Sequence, residues 1–137
     1  KRIVKAPKVY IADNGLTTRL LQLSGFDQIS GHPVFGSLWE ALVLANLKGN
    51  FREANCHFFS TSNGAEIDFL TEINNKRITI ECKATLSPIL TRGNYSAIET
   101  IKPDHVFVAA PVDRGWPMTK GIEVVSVNEL IERLGRL

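Results

Sequence analysis

Four side chains in this 137-residue sequence stand at spacings that could do chemistry together: Asp68, Glu81 and Lys83 on two consecutive extended stretches, and Glu40 on a helical stretch before them. The extended stretches run from Ala65 to Glu72 and from Lys76 or Arg77 to Lys83, separated by Asn74-Asn75. Asparagine tolerates the positive φ of a two-residue type I′ turn. With these two as the turn, Asp68 faces Glu81 and Glu66 faces Lys83 on one side of a hairpin. The other side pairs Ile67 with Cys82, Phe69 with Ile80, Thr71 with Ile78 and Ile73 with Lys76, a mostly apolar surface suited to a core. Two carboxylates directly opposite each other destabilise a hairpin by about 0.2 to 1 kcal/mol. A divalent cation relieves that repulsion, because Mg²⁺ takes hard oxygen ligands, commonly one or two carboxylates beside several waters. Lys83 lies two residues past Glu81, roughly 6.5 to 7 Å along the strand, and reaches such a site without occupying it. The competing reading of the same register is a hydrated face on which Glu66 pairs Lys83.

The elements that must position these groups follow from hydrophobic period and turn residues. Leu38, Trp39, Ala41, Leu42, Val43, Leu44, Ala45 and Leu47 predict a helix from Gly36 or Ser37 to about Gly49 that is apolar on every face and therefore largely buried. Glu40 is the exception in it, and a charged side chain is rarely buried unless it is paired or binds metal. It is a metal support, a salt-bridge partner in the core or a residue at the helix edge. Before this helix, Val9 to Asp13 reads as a strand. Asn14-Gly15 breaks it, and an amphipathic helix with Leu16, Leu20, Leu21 and Leu23 follows. Ser24 to Pro33 reads as a loop. Cys56 to Ser60 is a strand leading to Asn63-Gly64 and the hairpin. Beyond the hairpin come a helix over Asn94 to Ile101, a strand over His105 to Ala110 and a loop with Gly115 and Pro117. A strand over Glu123 to Ser126 and a helix from about Asn128 to Leu134, capped by Asn128, close the chain.

Composition bounds the function classes. With 44% hydrophobic and 22% charged residues the sequence is that of one ordinary globular domain. Its longest apolar stretches, such as Ala41 to Ala45, are five residues long, against the roughly 18 to 20 that a membrane helix needs. No membrane partner and a cytoplasmic location are expected. The net charge is +2, but Lys1, Arg2, Lys5 and Lys8 supply +4 of it, leaving −2 for the remainder. A weakly acidic body argues against a broad nucleic-acid platform, and the basic head reads as a solvated tail. Cys56 and Cys82 stand 26 positions apart and His32, His57 and His105 are scattered, so structural zinc is not indicated and reduced thiols are expected. There is no phosphate-cradling glycine loop. The only methionine is Met118, so the 137 residues read as a segment cut from a longer protein. Trp39 and Trp116 read as packing residues.

The order of Glu40 on a helix, Ile67-Asp68 opening one strand and Glu81-Cys82-Lys83 ending the next resembles the PD-(D/E)XK, or restriction-endonuclease-like, nuclease superfamily. Ile67 stands where that motif has proline. The helix-strand-strand-strand-helix-strand order from Gly36 to Ala110 agrees with it. More narrowly, Lys8 to Leu16, Gly31 to Glu40 and Thr61 to Phe69 resemble a C-terminal domain of unknown function in a family of prokaryotic AAA-type ATPases. The resemblance implies an α/β fold, a restriction-endonuclease-like α/β/α core with a mixed central sheet flanked by helices. It implies a lead-in over residues 1–35, a nuclease-like domain over 36–137, and an ATPase module upstream in the same chain. It also implies that Asp68, Glu81 and the backbone carbonyl of Cys82 coordinate Mg²⁺ or Mn²⁺. Lys83 then orients or activates water, Glu40 supports the metal directly or through water, and Glu66 is at most a partner for Lys83. The expected activity is phosphodiester hydrolysis of DNA or RNA. The alternative is a non-catalytic nuclease-fold module for oligomerisation or partner binding that regulates the ATPase. One departure concerns the helix over Asn94 to Glu99, which lacks the glutamine of the Gln-x-x-x-Tyr helix found in some members. Arg92, Lys102, Arg114 and Lys120 read as solvated surface rather than phosphate contacts.

Overall fold

The computed structural model describes residues 8–137. The elements in chain order are α1 (Asn14–Leu20), α2 (Phe26–Ser30), α3 (Phe35–Asn50), β1 (His57–Ser60), β2 (Glu66–Ile73), β3 (Lys76–Cys82), α4 (Arg92–Ile101), β4 (His105–Ala109), β5 (Trp116–Thr119), β6 (Ile122–Val125) and α5 (Val127–Gly135). Asn74 and Asn75 both adopt positive φ, 50° and 62°, as a type I′ turn requires. The turn sets the expected register, with Ile73 opposite Lys76, Thr71 opposite Ile78 and Phe69 opposite Ile80.

The six strands form one mixed sheet in the order β1-β2-β3-β4-β6-β5. β1, β2 and β3 are antiparallel neighbours, β3 and β4 are parallel across the α4 crossover, and β4 and β6 are parallel. Helices cover both faces. Trp39, Val43 and Leu47 of α3 and Leu130 and Leu134 of α5 pack with Phe69, Ile78, Ile80 and Phe107 on one side. Ala97 and Ile101 of α4 pack with Ala65 and Ile67 on the other. Fully burying side chains of this size stabilises the fold by about 1.5 to 3 kcal/mol each relative to exposure. Among the described residues, no helix is long and apolar enough to cross a membrane.

Five expectations need correction. Val9 to Asp13 belongs to no sheet. Instead Tyr10 packs its ring 6.0 Å from that of Phe69 of β2, on the face of the sheet that α3 covers. The expected loop over Ser24 to Pro33 contains α2, opened by Gly25 and closed at Gly31. The expected loop with Gly115 and Pro117 contains β5, which lies at the sheet edge, where a proline's missing N–H costs no ladder bond. α5 is capped by Ser126, not Asn128. The Ser126 hydroxyl takes the Glu129 N–H while the Glu129 carboxylate takes the Ser126 N–H. Finally, α3 is not apolar in use on every face, since Leu42 is 38% exposed while Val43 is fully buried.

Candidate active site

A bulge in β2 positions the acids. β1 pairs His57 with Leu70 but Phe59 with Ile67, so β2 carries one extra residue between those two pairs. The consequence is visible in the packing: Ile67 and Leu70 join α4, whereas Phe69 joins α3. Ile67 therefore does not share a face with Phe69, Thr71 and Ile73 as regular alternation predicts. Regular β2–β3 pairs end at Phe69 and Ile80, and past them side-chain carboxylates receive strand amides. The Asp68 N–H donates to Glu81 Oε2 at 3.3 Å, and the Cys82 N–H donates to Asp68 Oδ2 at 2.9 Å. Asp68 and Glu81 are thus neighbours across the hairpin, joined through the backbone at a bulge rather than as a plain cross-strand pair. Both are buried, at 5% and 6% exposure.

The remaining predicted residues collect around them. Lys83 Nζ donates to Glu81 Oε1 at 2.8 Å. Glu40, half-buried on α3, accepts the Tyr10 hydroxyl on Oε2 at 2.9 Å. The Lys8 ammonium lies 2.7 Å from Asp68 Oδ1, 3.4 Å from Glu40 Oε2 and 3.4 Å from Glu66 Oε1. Two assignments change as a result. Lys8 is no solvated tail but the shared counter-ion of three carboxylates, while Lys1, Arg2 and Lys5 lie outside the described residues. Glu66 pairs with Lys8, and Lys83 pairs with Glu81.

Burial, then the neighbouring Asp68 charge, raises the Glu81 carboxyl to about 7, against the opposing pull of Lys83. Burial also raises the Cys82 thiol, with Asp68 adding to it. For Lys8, burial pulls the ammonium down, but the hydrogen bond and charge of Asp68, followed by the charge of Glu40, outweigh it and hold the ammonium protonated. Burial and the hydrogen bond to Glu40 raise the Tyr10 phenol, so Tyr10 is a donor here.

Lys8 and Tyr10 are the site residues that sequence reasoning missed. Asn94 is a third, as a positioning residue. It closes a capping box with Thr91 at the start of α4, and its Nδ2 donates to the Glu66 carbonyl at 3.0 Å, tying α4 to the strand that carries Asp68. The Thr-x-x-Asn spacing was the available signal for the cap, not for the tie. Arg92, Lys102, Arg114 and Lys120 are exposed. Cys56 and Cys82 are free thiols. A groove of about 420 Å³ between Glu53, His57, Thr71 and Arg77 lies toward the hairpin turn and away from Asp68 and Glu81.

The donor set consists of hard oxygens of opposite charge to a metal ion, which is the chemistry Mg²⁺ or Mn²⁺ requires. Its present spacing is that of an ammonium's partners. Among the described residues no three His, Cys, Asp or Glu side chains are spaced to hold a metal ion.

Residues 35–130 match a family described as Domain of unknown function (DUF4143). The chain is 26% identical over 131 residues to Uncharacterized protein Rv2008c of Mycobacterium tuberculosis, and equally to Uncharacterized protein Mb2031c of Mycobacterium bovis. The alignment covers 96% of this chain and 30% of each relative, so the chain spans less than a third of their length. No solved structure matches it.

Proposed function

This chain belongs to the DUF4143 family, and from that premise we propose that it is a divalent-metal-dependent nuclease domain of restriction-endonuclease-like fold. The proposed substrate is DNA or RNA, and the domain serves a AAA-type ATPase module in the same, longer chain. The observation that carries the reading is the meeting of Asp68 and Glu81 at the β2 bulge, with Lys83 Nζ 2.8 Å from Glu81 and Glu40 reaching the same cluster from α3. The element order α3-β1-β2-β3-α4-β4 and helices on both faces of a mixed sheet support the fold assignment.

In this reading Asp68, Glu81, the Cys82 carbonyl and Glu40 hold Mg²⁺ or Mn²⁺, with Glu40 acting directly or through water. The ion supplies charge neutralisation at the scissile phosphate and acidifies water. Lys83 orients the attacking water, and its ammonium favours the hydroxide form nearby. The low exposure of Asp68 and Glu81 strengthens each of these interactions. The test is incubation of the 137-residue protein with plasmid, single-stranded DNA and RNA in Mg²⁺ or Mn²⁺. Cleavage is expected, falling by about 100-fold or more in Lys83→Ala. No cleavage under any condition, or cleavage indifferent to Lys83→Ala, overturns the reading.

One observation favours a second reading, a non-catalytic module for oligomerisation or partner docking: Lys8 already pairs with Asp68, Glu40 and Glu66. The two readings part on Mn²⁺ binding, which the enzyme requires and the module does not.

A further inference from the structure

Three carboxylates, Glu40 of α3 and Glu66 and Asp68 of β2, converge on the Lys8 ammonium, which lies 2.7 Å from Asp68 Oδ1 and 3.4 Å from both Glu40 Oε2 and Glu66 Oε1. The segment that carries it is pinned a second time, because Tyr10 donates to the same Glu40 oxygen at 2.9 Å and packs its ring, tilted, against Phe69. Phe58 adds a ring face 5.9 Å from the ammonium. A divalent cation held by Asp68 and Glu40 needs oxygens that Lys8 now occupies, and two cations a few Å apart in a partly buried place repel strongly. The absence of a metal-ready spacing among the described carboxylates fits the same picture. We infer that Lys8 is a built-in counter-ion that plugs the acid cluster, and that a divalent cation enters only by displacing it and freeing the segment around residues 8 to 10.

This inference rests on the metal-site reading above. It makes metal binding and docking of that segment reciprocal: whatever holds the segment in place weakens the ion, and the ion loosens the segment by the same free energy. The cluster is then closed at rest without an uncompensated buried charge, and opening it is coupled to movement of the chain that enters the domain.

Two measurements test it. In calorimetric titration with Mn²⁺, Lys8→Gln is expected to bind at least tenfold more tightly than the wild type. In the wild type, trypsin should cut the Lys8–Val9 bond at least fivefold faster at saturating Mn²⁺, with the exposed Lys120–Gly121 bond as an unchanged internal control. The proteolysis uses the unaltered protein, so it decides the question even where Lys8→Gln does not fold. Unchanged cleavage at Lys8–Val9 at saturating Mn²⁺ overturns the plug and leaves the metal site standing, as does equal Mn²⁺ affinity with and without Lys8. No heat from either protein at millimolar Mn²⁺ overturns the metal reading itself, and the plug with it.

Discussion

Glu81 is a carboxylate that the fold makes reluctant to ionise, because burial and the adjacent Asp68 charge raise it to about 7. A raised acid stabilises the folded state fully below its unfolded value, near 4.3, and loses that contribution as pH rises through the folded value. In chelator, wild-type stability should therefore fall by on the order of 3 kcal/mol more than that of Glu81→Gln between pH 4.5 and 7. Urea unfolding across that window measures it, and parallel pH profiles for the two proteins would refute the claim. Asp68, Glu81 and Lys83 were legible because a turn of two asparagines sets a register that can be counted from the residues alone, and Glu40 because it is the charged exception in an apolar helix. Lys8 was not, since its partners Glu40 and Asp68 lie 32 and 60 positions away, and nothing in a run of basic residues marks the one that tertiary packing will enclose.

At the scale of elements, the decisive feature is the β2 bulge, and part of it was visible. Leu70 is an apolar residue in the frame that alternation assigns to the polar face, and the bulge resolves the conflict by turning Leu70 and Ile67 together toward α4. What local pattern could not supply is the partner strand, whose pairing reveals the extra residue. The opposite wall of the site depends on close backbone approach. A Cβ at Gly93, in the first turn of α4, would stand 2.2 Å from the Gly64 carbonyl oxygen. Gly64 itself sits at φ +78° in the turn before β2. Gly93→Ala should thus push α4 away from that turn and cost about 1 to 3 kcal/mol, as overpacking does. Gly49→Ala, on α3 with nothing within 4 Å of its Cβ, should be neutral or stabilising by up to about 1 kcal/mol. Urea midpoints of the two variants check this, and equal shifts would mean that the Gly93 contact does not constrain α4.

Across the whole molecule, the helix-strand order from α3 to β4 follows from hydrophobic pattern and turn residues and the mixed sheet from the family resemblance, while the β5 edge was hidden by a proline that only an edge strand tolerates. Charge is where the global and local views meet. The +2 total was split between a basic head and an acidic remainder, yet Lys8, counted with the head, neutralises the acids of the body. The four exposed bases weighed as phosphate contacts stand at separate element ends. Arg92 opens α4, Lys102 caps its far end, Arg114 precedes β5 and Lys120 follows it. A nucleic acid engaged mainly at the acid-and-lysine cluster would neutralise few phosphates, and each neutralised phosphate contributes about −0.9 to the slope of log affinity against log salt on duplex DNA. Anisotropy titrations of Lys83→Ala on a duplex with Mn²⁺, over 50 to 200 mM salt, should give a slope shallower than about −4. A slope of about −6 or steeper would instead require a dispersed cationic surface and would move the principal contact away from the carboxylates.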